Sequence, residues 1–247
     1  MYLPLSPKEN DMKLTTVLFD LDGTLLPMDL DYFTKGYFKL LSSKAAAYGY
    51  EPKQLADTVL AGTAAMVKNN GEKTNEAVFW QKFSDIYGQK ALSHKCIFDA
   101  FYENEFQETK ELCGYNPMAA ETVRSIKKMG LRTVLATNPI FPAAATESRI
   151  RWAGLQPEDF ELYTTYENSC FCKPNPDYYR DILKKMNITA EECLMVGNDV
   201  TEDMVAKTLG MKVFLLTDCL INKNGKNIDD YPNGSFEQLT DFIKNLI

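Results

Sequence analysis

Asp20-Leu21-Asp22-Gly23-Thr24 places two carboxylates, a glycine and a hydroxyl directly after the apolar run Leu14 to Phe19. If that run is an extended strand, residues i and i+2 leave its end on the same side. Asp20 and Asp22 then aim at one spot, and Gly23 permits the tight turn that follows. A carboxylate pair of this kind can supply a nucleophile or cation ligand together with a proton carrier. The chemically idle alternative, an Asp-Gly hairpin turn, requires a second pairable strand close behind. Leu25-Leu26-Pro27 runs instead into a helical pattern.

Three further clusters stand at comparable places. Thr137-Asn138-Pro139 follows a run ending at Ala136, and Gly197-Asn198-Asp199, with Thr201, Glu202 and Asp203, follows one ending at Val196. Lys173 precedes Pro174 and the pair Asn175-Pro176, which keeps it out of a helix and in an extended loop. Taken singly, these read as an N-cap, an acidic helix start and a solvated lysine. Taken in order, they bring hydroxyl, amide, ammonium and carboxylate groups to the carboxyl ends of strands, the edge at which open parallel sheets bind ligands.

The elements needed to position them are legible. Leu14 to Phe19 shows no solvent-facing alternation, as expected of a strand buried on both faces of a parallel sheet, and similar runs recur at 131–136, 162–166, 193–196 and 212–216. Between them lie helical patterns: Asn116-Pro117 to Gly130, one opening at Asn175-Pro176, Met204 to Gly210, and one starting at Ser235. Strands alternating with helices imply an α/β protein with a doubly wound, mostly parallel, Rossmann-like sheet. Residues 27–114 break the alternation with four apolar stripes at helical spacing, beginning at Tyr32, Leu55, Val78 and Ile97. The expected organisation is a core of residues 1–26 and 115–247 with an inserted all-helical segment, 27–114, able to hold a small core of its own and to move against the sheet. Residues 1–12 read as a polar lead-in.

Counting excludes several functions. The single histidine, His94, rules out any site needing two imidazoles and reads as an exposed helix residue remote from the clusters. The thirteen glycines are too far apart for a GxGxxG turn or a P-loop. A net charge of −7 without a basic run disfavours nucleic acid and anionic membranes, and no stretch is long and apolar enough to span a bilayer. Six cysteines without CxxC spacing suggest a reduced, cytoplasmic protein, in which Cys170 and Cys172 are ordinary thiols.

The four clusters, in this order, resemble the motifs of the haloacid dehalogenase superfamily, specifically members with a helical cap inserted after the first strand. The resemblance runs from about residue 14 to about residue 216. It implies a Mg²⁺-dependent hydrolase of small phosphate esters that works through an aspartyl-phosphate. It also implies that the Asp22 backbone carbonyl joins the metal ligands. Many relatives carry Gly-Asp where this chain has Gly197-Asn198, so the second metal carboxylate is expected to be Asp199, one position along, with Asp203 ordering a metal-bound water; the reverse assignment stays open.

The chemistry accords with those residues. Phosphate-monoester hydrolysis needs acceleration of up to ~10²¹, and bare carboxylates repel the anion. A divalent cation held between Asp20, Asp199 and phosphate oxygens reverses that repulsion, and a donor set of oxygens alone suits Mg²⁺. Asp20 is then the expected nucleophile, Asp22 the acid and base, and Thr137, Asn138 and Lys173 the groups binding phosphate, with Lys173 also holding Asp20. Asp22 argues against dehalogenase chemistry, which has no alkoxide to protonate. A phosphonatase would need a Schiff-base lysine, for which Lys35, Lys39 and Lys44 are present but read as solvated. A sugar phosphomutase, or a relative that binds without turnover, are the alternatives.

Overall fold

The computed structural model describes residues 13–247; the expected lead-in, residues 1–12, lies outside them. Six parallel strands form one sheet in the order β3-β2-β1-β4-β5-β6. They are β1 (Thr16–Phe19), β2 (Arg132–Leu135), β3 (Leu162–Tyr163), β4 (Cys193–Gly197), β5 (Lys212–Leu216) and β6 (Asn233–Gly234). β1 is central and wholly buried, with Phe19 in register with Leu135 of β2 and Val196 of β4. That register brings Asp20, Thr137 and Asn198 out at one level of the sheet edge. The doubly wound α/β architecture expected from the alternation is present.

Successive strand residues feed opposite faces, as period-2 backbone requires. Val17, Phe19, Leu135, Leu194 and Val196 pack under α5 (Pro117–Lys128) and α8 (Phe236–Lys244), whereas Leu18, Val134, Ala136 and Met195 pack under α7 (Pro176–Met186). Asn116 and Asn175 cap α5 and α7 by accepting from the backbone N–H groups of Met118 and Asp177, with proline in the first turn of each helix.

Between β1 and α5 run α1 (Leu30–Ala46), α2 (Pro52–Val67), α3 (Asn75–Tyr87) and α4 (Lys95–Glu103), followed by a 3-10 segment, Glu105–Leu112. The apolar stripes read from the sequence are their buried faces, including Phe33, Tyr37, Leu41, Leu55, Val59, Phe83 and Phe98. These side chains are continuous with the apolar layer on one face of the sheet. The chain enters and leaves this helical segment through adjacent antiparallel stretches: Met28 bridges Cys113, and the Gly114 N–H donates to the Pro27 carbonyl at 2.7 Å. A second tie is the fully buried Asn75 at the start of α3, whose amide donates to the Pro139 carbonyl at 3.1 Å.

Some elements differ from expectation. The 162–166 run yields only the two-residue β3, and Met204–Leu209 is a 3-10 turn. Helix α6 (Ala143–Trp152) and β6 have no clear sequence pattern. The buried face of α6 includes Ser148 and Arg149, so it lacks the apolar stripe by which a helix is recognised.

Candidate active site

Three of the four predicted clusters line one cavity of about 300 Å³, through Asp20, Asp22, Thr137, Asn138, Asp199 and Asp203, and the fourth, Lys173, stands behind it on Asp20 and Asp203. Asp20 stands one residue beyond β1, its backbone N–H donating to the Val196 carbonyl at 2.9 Å. Its carboxylate is held from two directions. Lys173 Nζ donates to Oδ1 at 2.8 Å, and the Thr24 hydroxyl lies 3.0 Å from Oδ2. Thr24 also lies 3.0 Å from Asn198 Oδ1, and the Asn198 amide donates to the Cys219 carbonyl at 2.6 Å, tying the loops after β1, β4 and β5 together. Gly23 has φ +83°, and a Cβ there would overlap the Asn198 amide.

Lys173, which taken alone reads as a solvated loop lysine, is 1% exposed. It reaches Asp203 Oδ1 at 2.6 Å as well as Asp20. Burial opposes its charge, but the two carboxylates outweigh that effect and hold its pKa well above the ordinary lysine value. Asp203 is fully committed within the protein: its second oxygen accepts from the Asp199 N–H at 2.9 Å. Asp199 uses Oδ1 to cap the following turn, accepting from the backbone N–H groups of Thr201 at 2.7 Å and Glu202 at 2.9 Å. This arrangement favours Asp199 over Asp203 as the carboxylate with an oxygen to spare. Gly197 is needed for steric reasons, since a Cβ would overlap the Asp203 carboxylate. Gly197→Ala should therefore dislodge Asp203 and lower stability by about 1–3 kcal/mol, read as a fall in thermal midpoint.

The Thr137 carbonyl accepts from Tyr178 at 2.8 Å and from Thr164 at 2.6 Å, fixing the loop after β2 from below. Asn138 donates to Glu202 Oε2 at 3.0 Å and leaves its own Oδ1 buried without a partner. Burial, with Asp199 and Asp20 nearby, pushes the Glu202 carboxyl up to about 7.

Two residues contribute in ways that the sequence does not show. Arg149, 1% exposed on α6, forms an ion pair through Nη1 with Asp22 Oδ2, and its guanidinium lies 4.4 Å from the centre of the Phe141 ring. Asp22 Oδ1 is buried and unpartnered. Burial raises the Asp22 pKa, against the pull of Arg149 and with help from Asp20. Glu202, which reads in the sequence only as part of an acidic helix start, is the second. Neither has a local signal, since each acts through a residue remote in sequence.

Other expectations are corrected or placed. His94 is half-buried, not exposed, because Nδ1 bonds the Tyr50 hydroxyl at 2.8 Å; it does not line the cavity. Lys35, Lys39 and Lys44 do not line it either, and Lys44 pairs with Glu105 at 2.6 Å. Cys172 is buried and its thiol is pushed up to about 12 by burial, which makes it inert.

Among the described residues, no three acidic, histidine or cysteine side chains form a ready-made metal cluster. The expected ligand set asks for only two carboxylates and a carbonyl. Asp20, Asp22, Asp199, Glu202 and Asp203 meet just two buried cations, Lys173 and Arg149, so the site carries an excess of negative charge. Oxygen donors with surplus negative charge, in a cavity whose lining among the described residues has no histidine or cysteine, fit Mg²⁺.

Residues 14–210 match the family model of haloacid dehalogenase-like hydrolases. The chain belongs to that family. This haloacid dehalogenase-like hydrolase is 32% identical over 132 residues to a glyceraldehyde 3-phosphate phosphatase of Methanocaldococcus jannaschii, an alignment spanning 53% of the chain and 57% of the relative. It is 25% identical to a phosphoglycolate phosphatase of Colwellia psychrerythraea, covering 93% and 96%. The fold matches a 2-haloacid dehalogenase structure from Pseudomonas syringae with a TM-score of 0.63, at 16% identity and covering 95% and 100% of the two chains. The hydrolase thus shares its fold with that structure, while its chemistry resides in the side chains at the sheet edge.

Proposed function

We propose that the protein is a Mg²⁺-dependent phosphatase acting on a small phosphorylated metabolite through an aspartyl-phosphate on Asp20. The observation that carries this reading is the buried Lys173 ammonium, which bridges Asp20 and Asp203 at a cavity shared with Asp22, Thr137, Asn138 and Asp199. A carboxylate gripped by Lys173 and Thr24 cannot rotate away, so its nucleophilic oxygen is preorganised. The names of the curated phosphatase relatives support the same reading.

In the first half-reaction the Asp20 carboxylate forms a bond to phosphorus as the ester P–O bond breaks, and Asp22 gives its proton to the departing oxygen. In the second, water attacks phosphorus and loses a proton to Asp22, which regenerates Asp20 and releases inorganic phosphate. The raised Asp22 pKa suits a group that must begin as an acid. Thr137, Asn138 and Lys173 bind the phosphoryl oxygens. Asp20, Asp199 and the Asp22 carbonyl would hold Mg²⁺, which when bound neutralises the phosphate. Residues 27–114 act as a cap over residues 13–26 and 115–247, with the paired stretches Pro27-Met28 and Cys113-Gly114 as the hinge and the Asn75 tie as the contact that opens for exchange. Asp22 disfavours dehalogenase chemistry for want of an alkoxide to protonate. Six free cysteines support a reducing, cytoplasmic setting.

The test is phosphate release from an aryl phosphate with Mg²⁺ and with chelator. Chelation should abolish release and added Mg²⁺ should restore it. Release that is indifferent to chelator contradicts the metal assignment, and no release in either condition favours a binding protein. Phosphoryl return to an added sugar hydroxyl in preference to water identifies a mutase.

A further inference from the structure

The cavity has two chemically distinct parts. Its floor is the carboxylate cluster, whereas its walls carry nine aromatic side chains, among them Phe79, Trp80, Phe98, Tyr102 and Tyr166. Lys223, exposed on the loop after β5, is the one cation in the lining among the described residues. The buried guanidinium of Arg149 is already committed to Asp22, and Asp99, a further carboxylate of the lining, is paired with Lys95 at 3.1 Å. A second anionic group on a substrate, such as a carboxylate or another phosphate, would enter an apolar, acid-floored space with no free buried cation to meet it, at a cost of desolvation without repayment. A neutral ring would instead bury its faces against the aromatic walls.

We infer that this phosphatase takes monoesters whose leaving group is an uncharged, apolar, ring-bearing alcohol, and that it discriminates against small substrates carrying a second anionic group beside the reacting phosphoryl, such as phosphoglycolate and pyrophosphate. The inference rests on the phosphatase reading, adding a substrate class set by this chain's own cavity lining.

The experiment compares ethyl phosphate, 2-phenylethyl phosphate and phosphoglycolate with the Mg²⁺-loaded full chain. The two alkyl esters leave as similarly basic alcohols, so their ratio reports ring burial. 2-Phenylethyl phosphate should exceed ethyl phosphate by about 10- to 100-fold in kcat/KM, the factor expected for burying an aromatic side-chain equivalent. Phosphoglycolate should be the poorest of the three. Equal rates for the alkyl esters, or phosphoglycolate as the best substrate, overturn the inference and leave the phosphatase reading standing. Absence of turnover for all three defeats the phosphatase reading itself. Binding separates the two ideas without turnover: the non-hydrolysable 3-phenylpropylphosphonate should perturb Trp80 fluorescence at lower concentration than 3-phosphonopropionate, and the reverse order overturns the inference. Leu60→Lys alters an exposed α2 residue of the lining and should narrow the preference for the phenyl ester; an unchanged ratio would put the ring elsewhere and sink the assignment.

Discussion

Asp20→Asn is expected to lower Mg²⁺-dependent phosphate release by about 10⁴-fold or more, the scale seen when an essential nucleophile is removed. The amide keeps the side chain's size but cannot form the acyl phosphate, and it withdraws one of the two charges that face Lys173. No acid-trapped phosphoprotein should accumulate with any ester. Folding should hardly suffer, because the substitution removes a negative charge from a cluster that already has too many of them. The paired readout is therefore decisive: activity lost with the thermal midpoint kept identifies a catalytic role, whereas equal loss of both would make Asp20 a structural ion-pair partner. Retention of activity would end the aspartyl-phosphate proposal.

Lys173→Met is expected to damage stability and activity together. The ammonium sits between two carboxylates, with Asp203 1% exposed, and its removal leaves both without their cation. Breaking a buried ion pair in this way costs about 3–5 kcal/mol, equivalent to a fall of about 6–20 °C in thermal midpoint for a chain of this size. Methionine keeps most of the volume, so the loss reports charge more than packing. Adding Asp203→Asn should recover part of the midpoint by removing one stranded carboxylate, yet it should not recover phosphate release, because Asp20 still lacks the group that holds it. Full recovery of activity in the double variant would show that Lys173 serves only to neutralise Asp203. Because the three residues form one network, the single and double effects should be strongly non-additive.

Both expectations depend on groups that the sequence could name but not connect. Asp20, Thr137, Asn138 and Asp199 were legible because each follows a buried strand, and the shared edge of parallel strands is a consequence of topology that alternating patterns reveal. Lys173 was legible only as a member of an ordered set; on local grounds it is a loop lysine. The choice between Asp199 and Asp203 rests on which carboxylate oxygens are already occupied, and that depends on Lys173 and on the turn at 199–203. Arg149 was not legible at all: it lies 127 residues from Asp22 on a helix without an apolar stripe.

The amino-acid sequence alone determined the alternation of buried strands and capped helices, the helical interruption after β1, and the order in which reactive side chains reach the sheet edge. These are properties of neighbouring residues: backbone period, proline and asparagine at helix starts, glycine at tight turns. Only the tertiary structure decided that Lys173 is buried between Asp20 and Asp203, that Arg149 restrains Asp22, and that aromatic residues of the inserted helices wall a cavity above the carboxylates. The physical reason is that charge pairing and cavity shape depend on distances through space between residues far apart in the chain, where many pairings satisfy the same local pattern and packing admits one.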